Sequence, residues 1–126
     1  MNTGTTQKMS DVREKILATG QRIIAGKGFS GVGINEILAT VGVTKGSFYH
    51  YFGSKEAFGE AMLECHFEEY LAELDHTLRQ PSKTVAERLL DYWQDWQDNQ
   101  VSFECQGKCL AVKLGAEVAD LSETMR

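Results

Sequence analysis

Proline and consecutive β-branched residues are scarce in this chain of 126 residues, whose single proline is Pro81. Proline interrupts helices and β-branched residues favour strands, so their scarcity predicts an all-α protein. No stretch approaches the ~20 consecutive apolar residues that a membrane-spanning helix needs, and no apolar segment follows Met1 as it would in a secretory signal. We therefore expect a soluble, cytoplasmic protein without a membrane partner.

Cysteine is also scarce and its number is odd, with Cys65, Cys105 and Cys109. An odd count without a secretory signal argues against a disulfide framework and predicts reduced thiols. The three histidines are His50, His66 and His76. They match no common zinc-ligand spacing with the cysteines, and no Ser, Cys or carboxylate accompanies them in a recognisable catalytic arrangement. The sequence therefore predicts neither an enzyme nor a metal or cofactor site.

The formal net charge of −5 lacks the basic excess that is typical of a nucleic-acid binder. The charge is, however, unevenly distributed. Residues 1–55 contain seven Lys or Arg and three Asp or Glu, a balance of +4, whereas residues 56–126 contain six and fifteen, a balance of −9. Because local positive potential attracts phosphates, a basic N-terminal part on an acidic body remains compatible with DNA binding. Acidic, solvated helices without any DNA role would give the same asymmetry.

Residues 33–55 combine two short helical patterns around a sharp turn. The first pattern places its apolar residues on one helical face: Ile34, Ile37, Leu38 and Val41. Gly42 ends this pattern, because glycine takes positive φ at little cost, and the Thr44 hydroxyl can cap the next helix. That helix is predicted from Lys45 to about Tyr51, with Phe48 and Phe52 as its large apolar positions. The stretch therefore predicts two helices joined by a glycine-containing turn.

The polar face of the second short helix carries a cation, small residues and aromatic hydrogen-bonding groups, which suit recognition of the DNA major groove. Its residues are Lys45, Gly46, Ser47, Tyr49, His50 and Tyr51. Lys45 and Ser47 can reach base edges, and Gly46 permits close approach of the backbone. The three ring residues, together with Lys55 beyond the helix, can reach phosphate oxygens. The alternative is an ordinary helical hairpin whose polar face is solvated or contacts an acidic protein.

The run GVTKGSFYHYFGSKEAF, residues 42–58, resembles the recognition motif of the TetR family of bacterial transcriptional regulators. In that motif a Gly-Val-Ser/Thr-Lys-Gly turn precedes a tyrosine-rich recognition helix, and a lysine opens the next helix. The resemblance continues at Ile16-Leu17-Ala18 and at Gly28-Phe29. It adds two residues to the DNA-binding candidates, Thr44 and Gly33. At Gly33 the family usually has a threonine that caps the helix and binds phosphate, so this chain lacks that hydroxyl.

The resemblance implies a three-helix bundle with a helix-turn-helix over residues 10–53, followed by a helical ligand and dimerisation domain. It also implies a homodimeric repressor that binds a pseudo-palindromic, double-stranded DNA operator. Residues 1–9 lack periodicity and are predicted to be a flexible arm that ends at a helix cap, Ser10 or Asp11. Residues 54–126 are predicted to be the N-terminal part of the regulatory domain. Helical periodicity still runs at Met125, so the chain resembles a fragment.

Three longer helical patterns follow the predicted helix-turn-helix. The buried side predicted for the helix from Ser54 consists of Phe58, Met62, Cys65, Phe67, Leu71, Leu74 and Leu78. The side predicted for residues 84–99 consists of Val85, Leu89, Tyr92, Trp93 and Trp96. The last pattern consists of Leu110, Leu114, Val118, Leu121 and Met125. Trp93 and Trp96 either line a small-molecule pocket or belong to the core.

Cys109 precedes the last helical pattern and is predicted to lie in its first turn. The exposed N–H groups there favour a thiolate, and Lys108 adds a nearby cation. The run GKCLAVKLGAEVADLSETMR, residues 107–126, is similar to the branch of the TetR family that includes the repressor of N-ethylmaleimide reductase. That branch senses electrophiles through a cysteine matching Cys109, which implies induction by an electrophile or oxidant at this thiol. Pairing of Cys105 with Cys109 and induction by a reversible ligand remain alternatives.

Overall fold

The computed structural model describes residues 3–101 and 110–126, which form six α-helices and contain no strand. The helices are α1 Thr3–Lys27, α2 Ile34–Val41, α3 Lys45–Phe52, α4 Lys55–Leu78, α5 Val85–Val101 and α6 Leu110–Leu121. The predicted all-α fold class is confirmed for these residues. Within the same ranges, no helix is long and apolar enough to cross a lipid bilayer.

Helix α1 begins at Thr3, which corrects the flexible arm that we predicted for residues 1–9. Ser10, one of the two predicted caps, lies inside the helix, where its hydroxyl donates to Glu14 Oε1 at 3.4 Å. The physical reason is that each residue added to an existing helix gains a hydrogen bond, and Gln, Lys and Met at positions 7–9 are good helix formers. Met1 and Asn2 lie outside the described residues.

The turn between α2 and α3 follows the local signals of the sequence. Gly42 ends α2 in the left-handed conformation, with φ of 80°. Thr44 then caps α3, and its hydroxyl oxygen accepts a hydrogen bond from the Ser47 amide at 3.2 Å. Ser54 caps α4 in the same way by accepting from the Ala57 amide at 3.0 Å. Each cap satisfies an amide that the helix itself leaves unpaired, which fixes where the helix starts.

One continuous apolar core is shared by the helix-turn-helix and by α6. Its buried members are Ile16, Leu17, Ile24, Phe29, Val32, Ile37, Leu38, Phe48, Phe52, Phe58, Met62, Leu63, Leu110, Leu114 and Val118. At its centre the rings of Phe48, Phe52 and Phe58 contact one another with centroids 5.2–5.5 Å apart. The three α6 residues belong to this core, so α6 packs directly on the N-terminal helices.

Several apolar residues that we predicted to be buried are exposed. They are Phe67 and Leu71 of α4, Val85, Leu89, Trp93 and Trp96 of α5, and Leu121 of α6. The physical reason is that the distal half of α4 and all of α5 lie beyond the shared core. The two helices contact each other there through the hydroxyls of Tyr70 and Tyr92, 2.9 Å apart, while no other described residue covers their outer apolar face.

Helix α6 ends at Leu121, which corrects the predicted continuation to Met125. The guanidinium of Arg126 donates from Nε and Nη2 to the Ala119 carbonyl, at 3.1 and 2.9 Å, and so satisfies a C-terminal helix carbonyl. The Ser122 hydroxyl is buried and donates to the Glu56 carboxylate near the start of α4. This turn therefore ties the end of α6 to α4.

His66 is a buried polar residue that we did not predict. It lies on α4, is 5% exposed, and its Nδ1 is 3.4 Å from Gln21 Nε2 on α1. Its ring also lies parallel to that of Tyr70, with centroids 6.5 Å apart. Burial lowers the pKa of His66 below the ordinary 6.5, because the charged form loses its water; the carboxylate of Glu69 opposes this effect.

Close packing of α1 on α4 makes Gly20 intolerant of a larger residue. A Cβ at Gly20 would lie 2.2 Å from Cζ of Phe58, whereas a Cβ at Gly26 in the same helix would meet nothing within 4 Å. We expect Gly20→Ala to lower the free energy of unfolding by about 1–3 kcal/mol. Gly26→Ala should raise it by about 0.5–1 kcal/mol through helix propensity. Urea denaturation measures both, and a neutral Gly20→Ala would contradict the packing of α1 on α4.

The burial of His66 predicts a loss of stability in mild acid. Below pH 6.5 the His66 imidazole is protonated in the unfolded chain but not in the folded protein. The free energy of unfolding therefore decreases as the pH is lowered, until the lower pKa of the folded state is reached. Each pH unit within that window costs about 1.4 kcal/mol. We expect wild type to lose more stability than His66→Gln between pH 7.5 and 5.5 in urea denaturation. Equal losses in wild type and His66→Gln would contradict the effect of burial on His66.

Candidate nucleic-acid interface

Helix α3 turns its two phenylalanines into the core and leaves the opposite face in solvent. Phe48 and Phe52 are buried. The exposed residues of the helix are Lys45, Gly46, Tyr49 and His50, while Ser47 is half-buried. The structure thus brings the predicted major-groove candidates together on one helix face. Packing of the two phenylalanines fixes the rotation of α3 about its own axis, and with it the direction of this face.

The first turn of α3 is suited to close approach by an anionic backbone. Thr44 caps it, Lys45 makes no ion pair with any described residue, and a Cβ at Gly46 would meet nothing within 4 Å. Glycine at position 46 therefore packs against none of the described residues, and it leaves the helix backbone open. The free amides of a helix N-terminus and a lysine beside them favour phosphate or base oxygens.

The aromatic residues of α3 differ in how far they project. The Tyr49 ring is exposed and meets the buried Phe48 ring edge-on, with centroids 5.5 Å apart. His50 meets the ring of Tyr51 at 5.4 Å. Tyr51 itself is half-buried and packs on the core with Phe52, so it is less accessible than the polar face that we predicted for it. Tyr49 and His50 are thus the rings of α3 that point into solvent.

Lys55 makes a different contact from the phosphate contact that we predicted. Its ammonium donates to the Phe29 carbonyl at 2.9 Å and lies 4.7 Å from the centroid of the Phe29 ring. The side chain is therefore directed inward, towards the connection between α1 and α2. No local pattern indicates this pairing, because the two residues are 26 positions apart in the chain.

Gly33 occupies the N-cap of α2 with φ of −85° and ψ of 153°. Any L-residue adopts this backbone, and a Cβ there would meet nothing within 4 Å. The N-cap has no side-chain hydrogen bond, as expected for glycine. Gly33 is exposed at the start of α2, so only its backbone could contact a phosphate.

Trp93 and Trp96 of α5 are 58% and 40% exposed, and their rings meet edge-on with centroids 6.2 Å apart. They do not belong to the core, which corrects one of the two roles that we predicted. Their exposure results from the lack of any described residue packed over this face of α5. The other predicted role, a ligand pocket, requires a cover that the described residues do not provide.

The predicted sensor residues Cys105, Lys108 and Cys109 lie outside the described residues. Cys65 is described and half-buried, with its Sγ 3.8 Å from Glu69 Oε1. Burial, followed by the charge and hydrogen bond of Glu69, raises the pKa of the Cys65 thiol. A raised pKa lowers the thiolate fraction, so Cys65 is poorly suited to react with electrophiles. Among the described residues, no group of three or more His, Cys, Asp or Glu could hold a metal ion.

Comparison with known proteins places this helix-turn-helix in a family. The model for bacterial regulatory proteins of the tetR family matches residues 16–62, from the middle of α1 to the first turns of α4. Residues 16–62 belong to the TetR family. The TetR motif therefore coincides with the caps, the turn and the exposed α3 face described above.

The HTH-type transcriptional repressor NemR of Escherichia coli (strain K12) is 47% identical over 116 residues, which are 92% of this chain and 58% of NemR. The HTH-type transcriptional repressor DhaR of Mycobacterium sp. (strain GP1) is 32% identical over 115 residues, 91% of this chain and 56% of DhaR. The crystal structure of reduced E. coli NemR matches with a TM-score of 0.84 and covers 92% of this chain and 60% of that chain. The chain thus spans between half and two thirds of these TetR-family relatives.

Proposed function

We propose that the protein is a sequence-specific transcriptional repressor of the cytoplasm that binds a pseudo-palindromic DNA operator as a homodimer. The observation that carries this proposal is the exposed face of α3, which presents Lys45, Gly46, Tyr49 and His50 together on a helix anchored by two buried phenylalanines. Residues 16–62 belong to the TetR family, and two similar proteins are named repressors, which supports the same function. No catalytic activity is part of the proposal.

Each residue of the interface has a role that follows from its position. Lys45 and Ser47, in the first turn of α3, contact base edges in the major groove, and Gly46 lets the backbone approach. Thr44 binds phosphate with the hydroxyl that also caps the helix. Tyr49 and His50 contact phosphates, and Tyr51 does so through its half-buried ring edge. Gly33 contributes only its backbone amide at the start of α2.

Release from DNA is proposed to follow reaction of Cys109 with an electrophile or oxidant. The support is similarity to NemR, together with the position of Cys109 immediately before Leu110, the buried first residue of α6. Lys108 favours the thiolate and Cys105 is a candidate second thiol. Because α6 shares the core of the helix-turn-helix, a change at its start has a direct route to α3. A reversible ligand near Trp93 and Trp96 is the alternative inducer.

The role of α3 is tested by Lys45→Ala and Tyr49→Ala, with a duplex that the wild-type protein selects from a randomised library. We expect each variant to lose about tenfold to a hundredfold in affinity, because each removes one contact to base or phosphate. Fluorescence anisotropy measures affinity, and circular dichroism checks the fold. Lys83→Ala, in the connection between α4 and α5, is the matched control and should bind as wild type does.

Salt dependence separates this function from that of a protein-interaction module. Binding to the selected duplex should weaken steeply as salt rises, because DNA releases counterions when the protein binds it. Unchanged affinity in both α3 variants, or binding without sequence preference, would exclude the proposed role of this helix.

The role of Cys109 is tested by alkylation. N-ethylmaleimide adds to a cysteine thiolate by forming a sulfur–carbon bond, and a proton from solvent completes the neighbouring carbon. We expect treatment to lower DNA affinity at least tenfold in wild type and in Cys65→Ser, and to have no effect in Cys109→Ser. Affinity that survives treatment of wild type would instead favour a reversible ligand as inducer.

A further inference from the structure

The connection between α1 and α2 is held by a carboxylate from α6. Glu117 Oε2 accepts a hydrogen bond from the Phe29 amide at 3.1 Å, and Oε1 accepts one from the Ser30 amide at 2.6 Å. Both oxygens of one side chain thus bind two successive backbone amides of the helix-turn-helix. The hydrogen bond from the Ser30 amide is the main cause that lowers the pKa of Glu117, with smaller contributions from the Phe29 amide and the Lys55 charge, so the carboxylate is charged at neutral pH.

Lys55 holds the same connection from α4. Its ammonium donates to the Phe29 carbonyl and lies over the Phe29 ring, as described above. Phe29 is therefore bound at its amide by α6 and at its carbonyl by α4. We name this arrangement of Glu117, Lys55 and the backbone of Phe29 and Ser30 the Glu117 clasp.

The backbone of this connection is shaped to receive the carboxylate. Gly28 has φ of 84°, which other residues rarely adopt, and this conformation ends α1. A Cβ at Gly28 would lie 3.2 Å from Glu117 Oε2. On α6, one turn before Glu117, the Lys113 ammonium donates to the Gly26 carbonyl at 3.3 Å. Helix α6 therefore contacts the end of α1 and the following turn through two charged side chains.

The Glu117 clasp lies close in sequence to the start of α2. Two residues after Ser30 comes Val32, which is buried in the shared core, and the next residue is Gly33, the N-cap of α2. Helix α2 in turn packs on α3. The apolar contacts of α6, from Leu110, Leu114 and Val118, hold it against the core but are non-directional. The hydrogen bonds of Glu117 are directional, so they fix where α6 sits relative to the connection.

We propose that Glu117 is a positioning residue through which α6 holds the helix-turn-helix in its DNA-binding arrangement, and that movement of α6 releases this arrangement by breaking the Glu117 clasp. The inference rests on the proposed function as a regulated DNA-binding protein and deepens it. Glu117 touches no DNA in this scheme; it acts on α3 through the α1–α2 connection.

The test compares Glu117→Gln and Glu117→Ala with Asp120→Asn, an exposed acidic residue of the same helix that serves as the matched control. Hydrogen exchange by NMR measures the amides of Phe29 and Ser30, and fluorescence anisotropy measures affinity for the duplex selected by wild type. We expect exchange at these two amides to accelerate at least tenfold in Glu117→Ala, and DNA affinity to fall about tenfold. Glu117→Gln keeps one acceptor oxygen and should lie between Glu117→Ala and wild type.

If Glu117 only stabilised the fold, Glu117→Ala would accelerate exchange throughout the core and reduce the fraction of folded protein. The proposal instead predicts acceleration only near Phe29 and Ser30, with an unchanged circular dichroism spectrum at 25 °C. The effect of N-ethylmaleimide on DNA affinity should also shrink in Glu117→Ala, because the clasp is already broken. Lys55→Met should produce part of the same loss, and the two losses should be less than additive in the double variant.

The outcomes separate failure of this inference from failure of the proposed function. Accelerated exchange at Phe29 and Ser30 with wild-type DNA affinity and a wild-type response to treatment would overturn the role of Glu117 and leave the repressor intact. Unchanged exchange would show that the clasp does not protect these amides and would also overturn it. A wild-type protein that selects no duplex would overturn the proposed function, and the role of Glu117 with it.

Discussion

The structure depends on one constraint, which is that the helix-turn-helix and α6 share a single apolar core. Leu110, Leu114 and Val118 are buried in the same cluster as residues of α1 to α4, so α6 contributes to the core on which the helix-turn-helix is built. Burial of three such side chains contributes about 5–9 kcal/mol relative to exposure, which is comparable to the whole stability of a small domain. Because α6 contributes to this core, a change in its position affects the packing of α1 to α4.

The same core determines what α3 presents to solvent. Eight residues form this helix, too few to be stable alone, so its direction comes from the packing of Phe48 and Phe52 and from the Thr44 cap. With one face fixed inward, the lysine, glycine, tyrosine and histidine of the other face are presented without needing support from one another. The residues that we propose to bind DNA are therefore distinct from the two phenylalanines that anchor the helix in the core.

The helix boundaries could be predicted from the sequence where the residues that determine them are close together in the chain. Periodicity, the Gly42 turn and the Thr44 cap lie within about ten residues of each other, and each predicts the same boundary, so α2, the turn and α3 were predictable. The contacts of Lys55 and Glu117 were not, because they join residues 26 and 88 positions apart and leave no periodic trace. The pattern of α5 correctly predicted an amphipathic helix, but periodicity indicates only that a face is apolar and not what covers it. His66 escaped notice for the same reason, since its burial depends on α1 crossing α4.

Regulation of DNA binding requires that the affinity for DNA differ substantially between two states of the protein. A hundredfold change in DNA affinity corresponds to a coupling free energy of about 2.8 kcal/mol. Apolar burial depends on area and has no preferred direction, so the apolar contacts of α6 set its position less sharply than a hydrogen bond does. A hydrogen bond to a charged group contributes about 1.5–3 kcal/mol, and less where water competes, as it does around the half-exposed Glu117. Two such bonds are lost together once α6 moves by about 1 Å, because hydrogen bonds weaken steeply beyond ~3.5 Å. The hydrogen bonds from α6 to the connection are therefore few, but the free energy they contribute is comparable to the coupling free energy that regulation requires.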